Sequence, residues 1–341
     1  MISLAIETSC DETSAAVLND DKVMSNIISS QLFHSRYGGV VPEVASREHL
    51  NKIIEITEEA LEKASVNLSQ IELVSTTSEP GLIGALLVGL NFGKSLAMSL
   101  DIPFVPVNHV QAHLYSNFLG DQKKQFPFLG LIVSGGHTLL ILVEDFFNHK
   151  ILGSTIDDAA GEAFDKVAKL LGLGYPGGPL IDQRARDGDK SFHKFPLANV
   201  KENEFDFSFS GIKTSVLYFL KKINFENYKS EKLINDICAS FQNAVVQSLF
   251  DKTLSAAKKY QVKDVSISGG VSANKMLQSR FNSLIRQGYN IYFPKPGYST
   301  DNAAMIGLIG YYKYRFSEDK EKYFLETLKH NAKAKLDYGI F

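Results

Sequence analysis

The stretch FLGLIVSGGHTLLILV, residues 128–143, has the pattern of two apolar strands joined by a short polar turn. An apolar run precedes the turn at residues 134–137 and another follows it, which is typical of a tight hairpin. The chain opens in the same way, with a strand at residues 4–9, a polar turn at 10–12 and a return strand at 13–18. Two such hairpins predict that the chain contains a duplicated structural unit.

A second pattern also occurs twice, namely a short strand that runs through a glycine turn into a helix. Residues 73–77 lead through a Pro-Gly turn into the apolar segment 83–100, and residues 265–268 lead through a Gly-Gly turn into another helical segment. Strands that alternate with helices in this way predict an α/β fold. Two similar halves predict two lobes, with a ligand held in the cleft between them.

The length of 341 residues is too great for one simple core, which also favours two lobes. We expect residues 1–125 to form the N-terminal lobe, completed by a C-terminal helix within about residues 301–341. Residues 126–300 are then expected to form the C-terminal lobe.

The local structure of three other segments is predicted from their residue patterns. The apolar spacing in residues 46–65 favours a helix with its N-cap at Ser46. The alternation FSFSGIK, residues 207–213, favours either an edge strand or a loop that closes over the cleft. The loop GYPGGP, residues 174–179, is either a helix stop or a rigid platform for a nucleoside.

Three carboxylates are expected to share one helix face because of their spacing, namely Asp158, Glu162 and Asp165. A carboxylate on that face suits a ribose hydroxyl, whereas acidic helix faces are commonly just solvated. The pattern leaves both interpretations open.

The composition is that of an ordinary globular protein, with 44% hydrophobic and 22% charged residues. A formal net charge of −2 provides no general attraction for nucleic acid, so such a partner needs a local basic patch or another subunit. With only Cys10 and Cys238, a disulfide scaffold is excluded and a reducing compartment is favoured. The N-terminus lacks the pattern of a signal peptide, and Asn91 and Lys94 within the apolar segment 83–100 predict a core helix. We therefore expect a soluble, cytoplasmic protein with no membrane partner.

Two histidines stand four positions apart in PVNHVQAHLY, residues 106–115. On a helix that follows a strand, this spacing places the imidazoles of His109 and His113 on one face, close enough to bind one metal ion. The best candidate for a third ligand is Asp301, at the start of another helical segment. Two imidazoles and one carboxylate leave open coordination positions, which is typical of a catalytic or ligand-binding metal. The alternative is that the histidines merely line a helix.

Two glycine pairs each follow an apolar strand, Gly135 with Gly136 and Gly269 with Gly270. Glycine lets backbone N–H groups approach an anion closely, and the second pair also precedes a helix N-terminus. Each pair alone is typical of a tight turn. Together, in matching halves, they favour a site for the phosphate of a nucleotide.

These motifs resemble the family of tRNA N6-adenosine threonylcarbamoyltransferases, relatives of the catalytic subunit of the archaeal and eukaryotic KEOPS complex that were once described as glycoproteases. The resemblance covers essentially the whole chain. The motifs that carry it are IETSCDET (6–13), NHVQAH (108–113), VSGGH (133–137), GEAFDK (161–166), YPGGP (175–179), FSFSG (207–211), GGVSAN (269–274) and TDNAAM (300–305).

The resemblance implies the duplicated two-lobe fold of actin, Hsp70 and sugar kinases, with a nucleotide cleft between the lobes. It implies one divalent metal ion per subunit, Fe²⁺ or Zn²⁺, held by His109, His113 and Asp301. The implied reaction moves a threonylcarbamoyl group from threonylcarbamoyl-AMP to N6 of adenosine 37, in tRNAs that read codons beginning with A. The residues implied to contact the adenylate are Val133, Ser134, Gly135, Gly136, His137, Asp165, Gly178, Asp182 and Asn274.

One residue departs from the family pattern. The family usually carries Glu between the two histidines, where this chain has Gln111. The implied ligands are unchanged, so the departure bears only on a role for that carboxylate.

The implied chemistry needs an anchored phosphate, a polarised carbonyl and an oriented amine, because a mixed anhydride is already activated. A carboxylate near the amine would accept its proton, and Asp11, in the first hairpin turn, is the candidate. The alternative is that Asp11 only bonds to its own backbone, as turn aspartates often do.

Three other function classes can be weighed against these motifs. A metalloprotease of the H-E-x-x-H type needs Glu directly after the first histidine, where this chain has Val110. An ATP-dependent kinase or chaperone-like ATPase of the same fold is the stronger alternative, although such enzymes bind Mg²⁺ through carboxylates and water. A binding module without catalysis is disfavoured by three metal ligands in a cleft.

The resemblance also implies partners. They are tRNA, an inactive paralogue that forms a heterodimer with the N-terminal lobe, a P-loop ATPase and a separate threonylcarbamoyl-AMP synthase. The apolar faces of helices 46–65 and 83–100 are where we expect the heterodimer contact. Basic residues that could form a modest tRNA patch, or that are simply solvated, are Arg36, Arg47, Lys52, Lys329, Lys333 and Lys335.

Overall fold

A computed structural model of the chain describes residues 1–119, 125–197, 200 and 203–335. The chain divides into two compact units. The N-terminal unit comprises Met1–Lys123 and Pro294–Phe341, and the C-terminal unit comprises Lys124–Phe293. Each unit contains one five-stranded sheet.

The strands and helices alternate along the chain as expected for an α/β protein. The strands are β1 (Ile2–Glu7), β2 (Glu12–Asn19), β3 (Lys22–Ser30), β4 (Leu73–Glu79), β5 (Phe104–Asn108), β6 (Phe128–Val133), β7 (Thr138–Asp145), β8 (Asn148–Ser154), β9 (Asp264–Ser268) and β10 (Asn290–Tyr292). The helices are α1 (Pro42–Ala64), α2 (Ile83–Leu100), α3 (His109–Tyr115), α4 (Ala160–Leu171), α5 (Gly177–Ala185), α6 (Ser210–Lys222), α7 (Phe225–Tyr228), α8 (Glu231–Lys259), α9 (Lys275–Asn282), α10 (Ala303–Phe316) and α11 (Lys322–Leu325).

The two sheets share one plan. In the N-terminal unit the strand order is β3-β2-β1-β4-β5, and in the C-terminal unit it is β8-β7-β6-β9-β10. In each sheet the first three strands along the chain pair antiparallel, and the last two are parallel to the first. Both predicted hairpins are therefore confirmed, while β3 and β8 extend each of them by a strand that the sequence analysis did not predict.

Helices cover both faces of the N-terminal sheet. A Cβ atom placed on Gly93 of α2 would meet Val74 and Thr76 of β4, whereas one placed on Gly310 of α10 would meet Ser75. Because successive side chains of a strand point to opposite faces, α2 and α10 lie on opposite sides of the sheet. This double coverage explains why β4 is buried at almost every position.

Helix α2 has the predicted bounds, and it packs against β4 and α1 with one face, while its other face is exposed. Among the helices that the structure describes, it is the one long and apolar enough to cross a membrane by length and composition alone. Its mean hydropathy is 1.4 and a third of it, 33%, is buried.

Two predictions of helix position are wrong. Helix α1 begins at Pro42 rather than at Ser46, whose hydroxyl instead donates to the Pro42 carbonyl within the first turn. Proline suits this first position because its missing N–H would have no partner in the helix. Asp158 lies before α4, outside the helix face on which it was expected.

The segment 207–213 is neither a regular edge strand nor a loop. Phe207 forms an isolated bridge with Thr155, and α6 begins at Ser210. Phe207 and Phe209 are fully buried in the core of the C-terminal unit. The alternation of aromatic and small residues therefore marks a chain segment that enters a core and turns into a helix.

Candidate metal centre

The two histidines lie at the start of α3, which follows β5 without an intervening loop. The side chain of Asn108, the last residue of β5, accepts a hydrogen bond of 3.0 Å from the backbone N–H of Gln111 and so caps the helix. Every residue of α3 is buried. The imidazole rings of His109 and His113 lie 4.6 Å apart, edge to face. The strand therefore fixes the position of the first histidine, and the helix places the second beside it.

Asp301 reaches these histidines because the start of α10 is tied to the sheet. Asn302 caps α10 by accepting a hydrogen bond of 3.2 Å from the N–H of Met305. The N–H of Ala303, the residue directly after Asn302, donates to the hydroxyl of Ser14 on β2 at 2.9 Å. These bonds fix the backbone on the C-terminal side of Asp301, and α10 packs against α3.

The three predicted ligands meet. The Oδ1 atom of Asp301 lies 2.9 Å from Nε2 of His113 and 3.5 Å from Nε2 of His109. The ligand atoms all lie within 4.8 Å of one another. Ligand atoms around a tetrahedral zinc ion, at bond lengths of about 2.0–2.1 Å, are separated by roughly 3.3 Å. Two imidazole nitrogens and a carboxylate that converge in this way form a group that can bind a divalent metal ion.

Glu7 contacts Nδ1 of His109, on the side of the ring opposite the nitrogen that faces Asp301. No sequence pattern indicated this role. Its Oε2 lies 3.0 Å from Nδ1 of His109 and accepts a bond of 2.6 Å from the hydroxyl of Thr77. Its other oxygen accepts the N–H of Ser9, whose hydroxyl lies 3.2 Å from the same Nδ1. A carboxylate that accepts Nδ1–H leaves the Nε2 lone pair of His109 directed at Asp301, as in many histidine-bound metal sites.

The second histidine has no comparable support. His113 is 1% exposed, and its Nδ1 has no hydrogen-bond partner among the described residues. The neighbouring Gln111 is also buried, and its side-chain oxygen has no such partner either. The histidine and carboxylate side chains that can hold a metal ion here are His109, His113 and Asp301.

Charge inside the site favours a cation. Burial alone favours a neutral ring, but the carboxylates of Asp301 and Glu7 raise the pKa of His109 well above its usual value. Burial likewise opposes ionisation of Asp301, yet His109 and His113 hold the pKa of that carboxyl well below its usual range. A metal ion must displace the proton on His109, so metal affinity falls as the pH falls.

Two further carboxyl groups follow β1: Asp11 lies in the turn before β2, and Glu12 is the first residue of β2. Asp11 and Glu12 are both half-buried. Burial, together with the charges of Asp301 and Asp11, raises the pKa of Glu12 to about 10. Because the charge of Asp301 contributes to the raised pKa, Glu12 lies within electrostatic reach of Asp301. The turn that precedes Glu12 therefore belongs to the same acidic surroundings. Asp11 was predicted from its place in the first hairpin turn, whereas no sequence pattern indicated a role for Glu12.

In the C-terminal unit the two glycine turns follow neighbouring parallel strands, β6 and β9. Gly269 has a φ of +86° and lies so close to the Val133 carbonyl that a Cβ atom would collide with it. The N–H of Gly161, in the first turn of α4, donates to the Ser134 carbonyl at 3.1 Å. Cβ atoms on Gly135 and Gly136 would meet nothing within 4 Å. Packing therefore does not require glycine at these two positions. The absence of neighbouring atoms means that open space lies above the turn.

The other residues implied to contact the adenylate lie near two helix starts in the C-terminal unit. Asp165 accepts a bond of 2.7 Å from the N–H of Gly177, which places it beside Gly178 at the start of α5. Asp182 accepts a bond of 3.2 Å from the N–H of Lys275 at the start of α9. Asn274 caps α9 and donates to Gln242 at 2.7 Å. Asp182 and Asn274 are therefore neighbours.

The fold is similar to that of a solved structure of full-length HypF in its phosphate- and nucleotide-bound form. The TM-score is 0.64, over 94% of this chain and 47% of that chain, at 16% sequence identity. Identity at this level shows the fold alone. It confirms the predicted duplicated α/β fold.

Sequence comparison is more specific. Residues 22–308 match the family TsaD, tRNA N6-adenosine threonylcarbamoyltransferase. A protein of that name from Chloroherpeton thalassium is 49% identical over 98% of this chain and 97% of its own length. Another from Kosmotoga olearia is 51% identical over 91% of this chain and 92% of its own length. The chain therefore belongs to the tRNA N6-adenosine threonylcarbamoyltransferase family, and it is a transferase that modifies tRNA.

Proposed function

We propose that the protein transfers the threonylcarbamoyl group of threonylcarbamoyl-AMP to N6 of adenosine 37, in tRNAs that read codons beginning with A. We also propose that one divalent metal ion per subunit, Fe²⁺ or Zn²⁺, bound by His109, His113 and Asp301, assists the transfer. The observation that carries this proposal is the convergence of both Nε2 atoms on one Asp301 oxygen from distant parts of the sequence. The alternative of a kinase or chaperone-like ATPase is not favoured, because the family match points to acyl transfer.

A metal ion at this site would supply Lewis-acid polarisation of a substrate oxygen. The residues of the chain determine where the metal ion would be bound. Glu7 orients the ring of His109, and Asn108 caps the helix that holds both histidines. Because all of α3 is buried, these side chains have little freedom to adopt other positions. Such preorganisation is what a site for an acyl transfer needs.

The proposed reaction needs a proton acceptor. N6 of adenosine attacks the carbamoyl carbon, and the new N6–C bond forms as the C–O bond to the phosphate breaks. AMP leaves with the bonding electron pair, and the proton on N6 passes to a carboxylate. We assign this role to Asp11, because its turn lies beside the metal ligands and its side chain is half-buried.

The adenylate is proposed to contact the C-terminal unit, which we take to be the C-terminal lobe with a boundary near residues 125 and 300. Open space above the first glycine turn and the nearby start of α4 support a site for its phosphate. The residues proposed to contact it are Val133, Ser134, Gly135, Gly136, His137, Asp165, Gly178, Asp182 and Asn274.

This function is tested with metal-free protein. Protein treated with a chelator is assayed with tRNA, labelled threonylcarbamoyl-AMP and the partner proteins. We expect no transfer until about one equivalent of Fe²⁺ or Zn²⁺ per subunit is restored. A tRNA with guanosine at position 37 is the control. Undiminished transfer by metal-free protein would contradict the role of the metal, and no transfer with metal and partners present would contradict the reaction itself.

An inactive paralogue is proposed to bind the outer face of α1 and α2, which pack against each other. This face exposes apolar side chains at helical spacing. Leu50 and Ile54 on α1 are 63% and 59% exposed, and Ile83 and Leu87 on α2 are 48% and 43% exposed. Apolar side chains grouped in this way mark an interaction surface.

The P-loop ATPase, the threonylcarbamoyl-AMP synthase and a cytoplasmic location are proposed from the family resemblance.

A charge substitution on this face is expected to weaken the heterodimer. Leu50→Glu places a carboxylate in the centre of the apolar contact, so we expect the dissociation constant to rise at least about 30-fold. Ile285→Glu is the control, because Ile285 is 53% exposed in the other unit. Isothermal titration calorimetry with the paralogue measures both variants. Equal affinity of Leu50→Glu and wild type would place the contact elsewhere.

The basic patch proposed for tRNA is weakened by ion pairs. Arg47 pairs with Glu43, Lys52 with Glu55, and Lys333 lies 3.4 Å from Glu79. Charges that are neutralised in this way attract phosphate less strongly. The full set proposed for the patch is Arg36, Arg47, Lys52, Lys329, Lys333 and Lys335.

A further inference from the structure

The backbone of the turn between β1 and β2 is held by three different elements. The Ser9 carbonyl accepts a bond of 2.8 Å from the N–H of Leu82, just before α2. The Asp11 carbonyl accepts a bond of 3.0 Å from the N–H of Gln31, just after β3. Between them, the Cys10 carbonyl lies 3.0 Å from Nε2 of His49 on α1. The last of these three contacts is the one that a side-chain substitution can remove.

His49 contacts the turn at two points. Its Nε2 faces the Cys10 carbonyl, and its Nδ1 lies 2.8 Å from the hydroxyl of Thr13. A carbonyl can only accept, so Nε2 carries the proton and Nδ1 accepts from Thr13. His49 is 0% exposed, and burial lowers its pKa, so the ring is neutral and both contacts persist at neutral pH. The ring therefore connects the residues directly before and directly after Asp11 and Glu12.

The turn needs such a connection because of the charges that it carries. Burial and the charges of Asp301 and Asp11 raise the pKa of Glu12 to about 10, so Glu12 is neutral at neutral pH and the charged carboxylates that act on it are Asp301 and Asp11. Asp11 and Asp301 repel each other, and this repulsion acts to move the turn away from Asp301. A reaction is also sensitive to the position of its proton acceptor, since a displacement of about 1 Å can lower a rate by roughly 100-fold.

We propose that His49 is a positioning residue that fixes the carboxyl groups of Asp11 and Glu12 beside the metal centre. The inference rests on the proposed transfer reaction, in which this turn supplies the proton acceptor. His49 touches no metal ligand in the structure, and it acts through the Cys10 carbonyl and the Thr13 hydroxyl. Its removal should therefore affect the chemical step and leave the metal ligands in place.

The test compares four variants of the full chain. His49→Leu removes both bonds, His49→Gln keeps an amide donor near the position of Nε2, and Thr13→Val removes one bond with little change of shape. Thr57→Val is the matched control, because the buried Thr57 hydroxyl bonds only to the Ile53 carbonyl of its own helix. We expect kcat to fall by about 10- to 100-fold in His49→Leu, with partial recovery in His49→Gln. The metal affinity and the KM for tRNA should stay within about threefold of wild type, as should kcat of Thr57→Val.

A second measurement does not depend on transfer. Cys10 lies in the turn and is partly exposed, whereas Cys238 is buried in the other unit. Burial and the Asp11 charge raise the pKa of the Cys10 thiol well above its usual value, which slows its alkylation in the intact turn. We expect iodoacetamide to modify Cys10 at least about tenfold faster in His49→Leu and Thr13→Val than in wild type or Thr57→Val, with Cys238 as the internal reference.

The two measurements separate the inference from the proposed function. Faster alkylation of Cys10 together with lower kcat supports the role of His49. Folded His49→Leu and Thr13→Val with wild-type alkylation and wild-type kcat would overturn it. Equal loss of metal affinity and kcat would also overturn it, because it would indicate general disruption of the site. Faster alkylation in protein that shows no transfer at all, wild type included, contradicts the proposed reaction and leaves the anchoring of the turn by His49 supported.

Discussion

Replacement of His109 by alanine is expected to abolish threonylcarbamoyl transfer and the binding of a divalent metal ion. The variant loses one of three ligands, and loss of metal assistance is expected to lower the rate by at least about a thousandfold. The variant also removes one of the partners of the buried Glu7, which keeps Thr77 and the N–H of Ser9. We therefore expect it to fold, with the free energy of unfolding reduced by about 1–3 kcal/mol.

Two further variants make this result interpretable. His113→Ala removes a ligand whose Nδ1 has no hydrogen-bond partner among the described residues, so it should lose metal and transfer with a smaller effect on stability. His193→Ala, in the C-terminal unit, should retain both. Elemental analysis, transfer assays and thermal unfolding measure the three variants. Transfer by metal-free His109→Ala at a substantial rate would remove the basis of the metal centre.

Replacement of Glu7 by glutamine is expected to weaken metal binding by about 10- to 100-fold without removing a ligand. The carboxylate faces three donors, which are the N–H of Ser9, the hydroxyl of Thr77 and the imidazole of His109. A glutamine side chain has one oxygen and one NH₂ group, so one side of it must face a donor with a donor. His109 then faces either the NH₂ group or a neutral amide oxygen, and neither accepts its Nδ1–H as strongly as the carboxylate that directs Nε2 at the metal.

The measurement is a competition titration of Co²⁺ or Zn²⁺ against a chelator. Thr77→Val is the control, because it removes one hydrogen bond of Glu7 and keeps the carboxylate in place. We expect the control to lose only a few-fold in affinity. If Glu7→Gln bound the metal as tightly as wild type, the orientation of His109 would have to come from Ser9 alone.

Local sequence patterns predicted the elements that are short and regular. The spacing of His109 and His113 was sufficient to place them on one helix face, because the geometry of a helical turn does not depend on the rest of the chain. The bounds of α2 followed from its uniform apolar composition. The start of α1 did not, because the helix begins at Pro42 without a side-chain cap, whereas the prediction relied on Ser46 as the N-cap.

Contacts between distant segments were harder to predict. Glu7 stood at the end of an apolar strand, and its burial depends on Thr77 and His109, which are far away in the sequence. A carboxylate in such a strand must have partners if it is buried, and this is the signal by which it could have been found. The position of Asp301 depends on Ser14 and Asn302, and no local spacing reveals the bond between Ser14 and Ala303.

The common plan of the two sheets has a consequence for how the halves of the molecule have diverged. The turn at residues 8–11 and the turn at residues 134–137 join equivalent strands of the two copies. The first turn carries the acidic residue Asp11, whereas the second carries the exposed Gly135 and Gly136. The same hairpin therefore presents a charged side chain in one unit and bare backbone in the other.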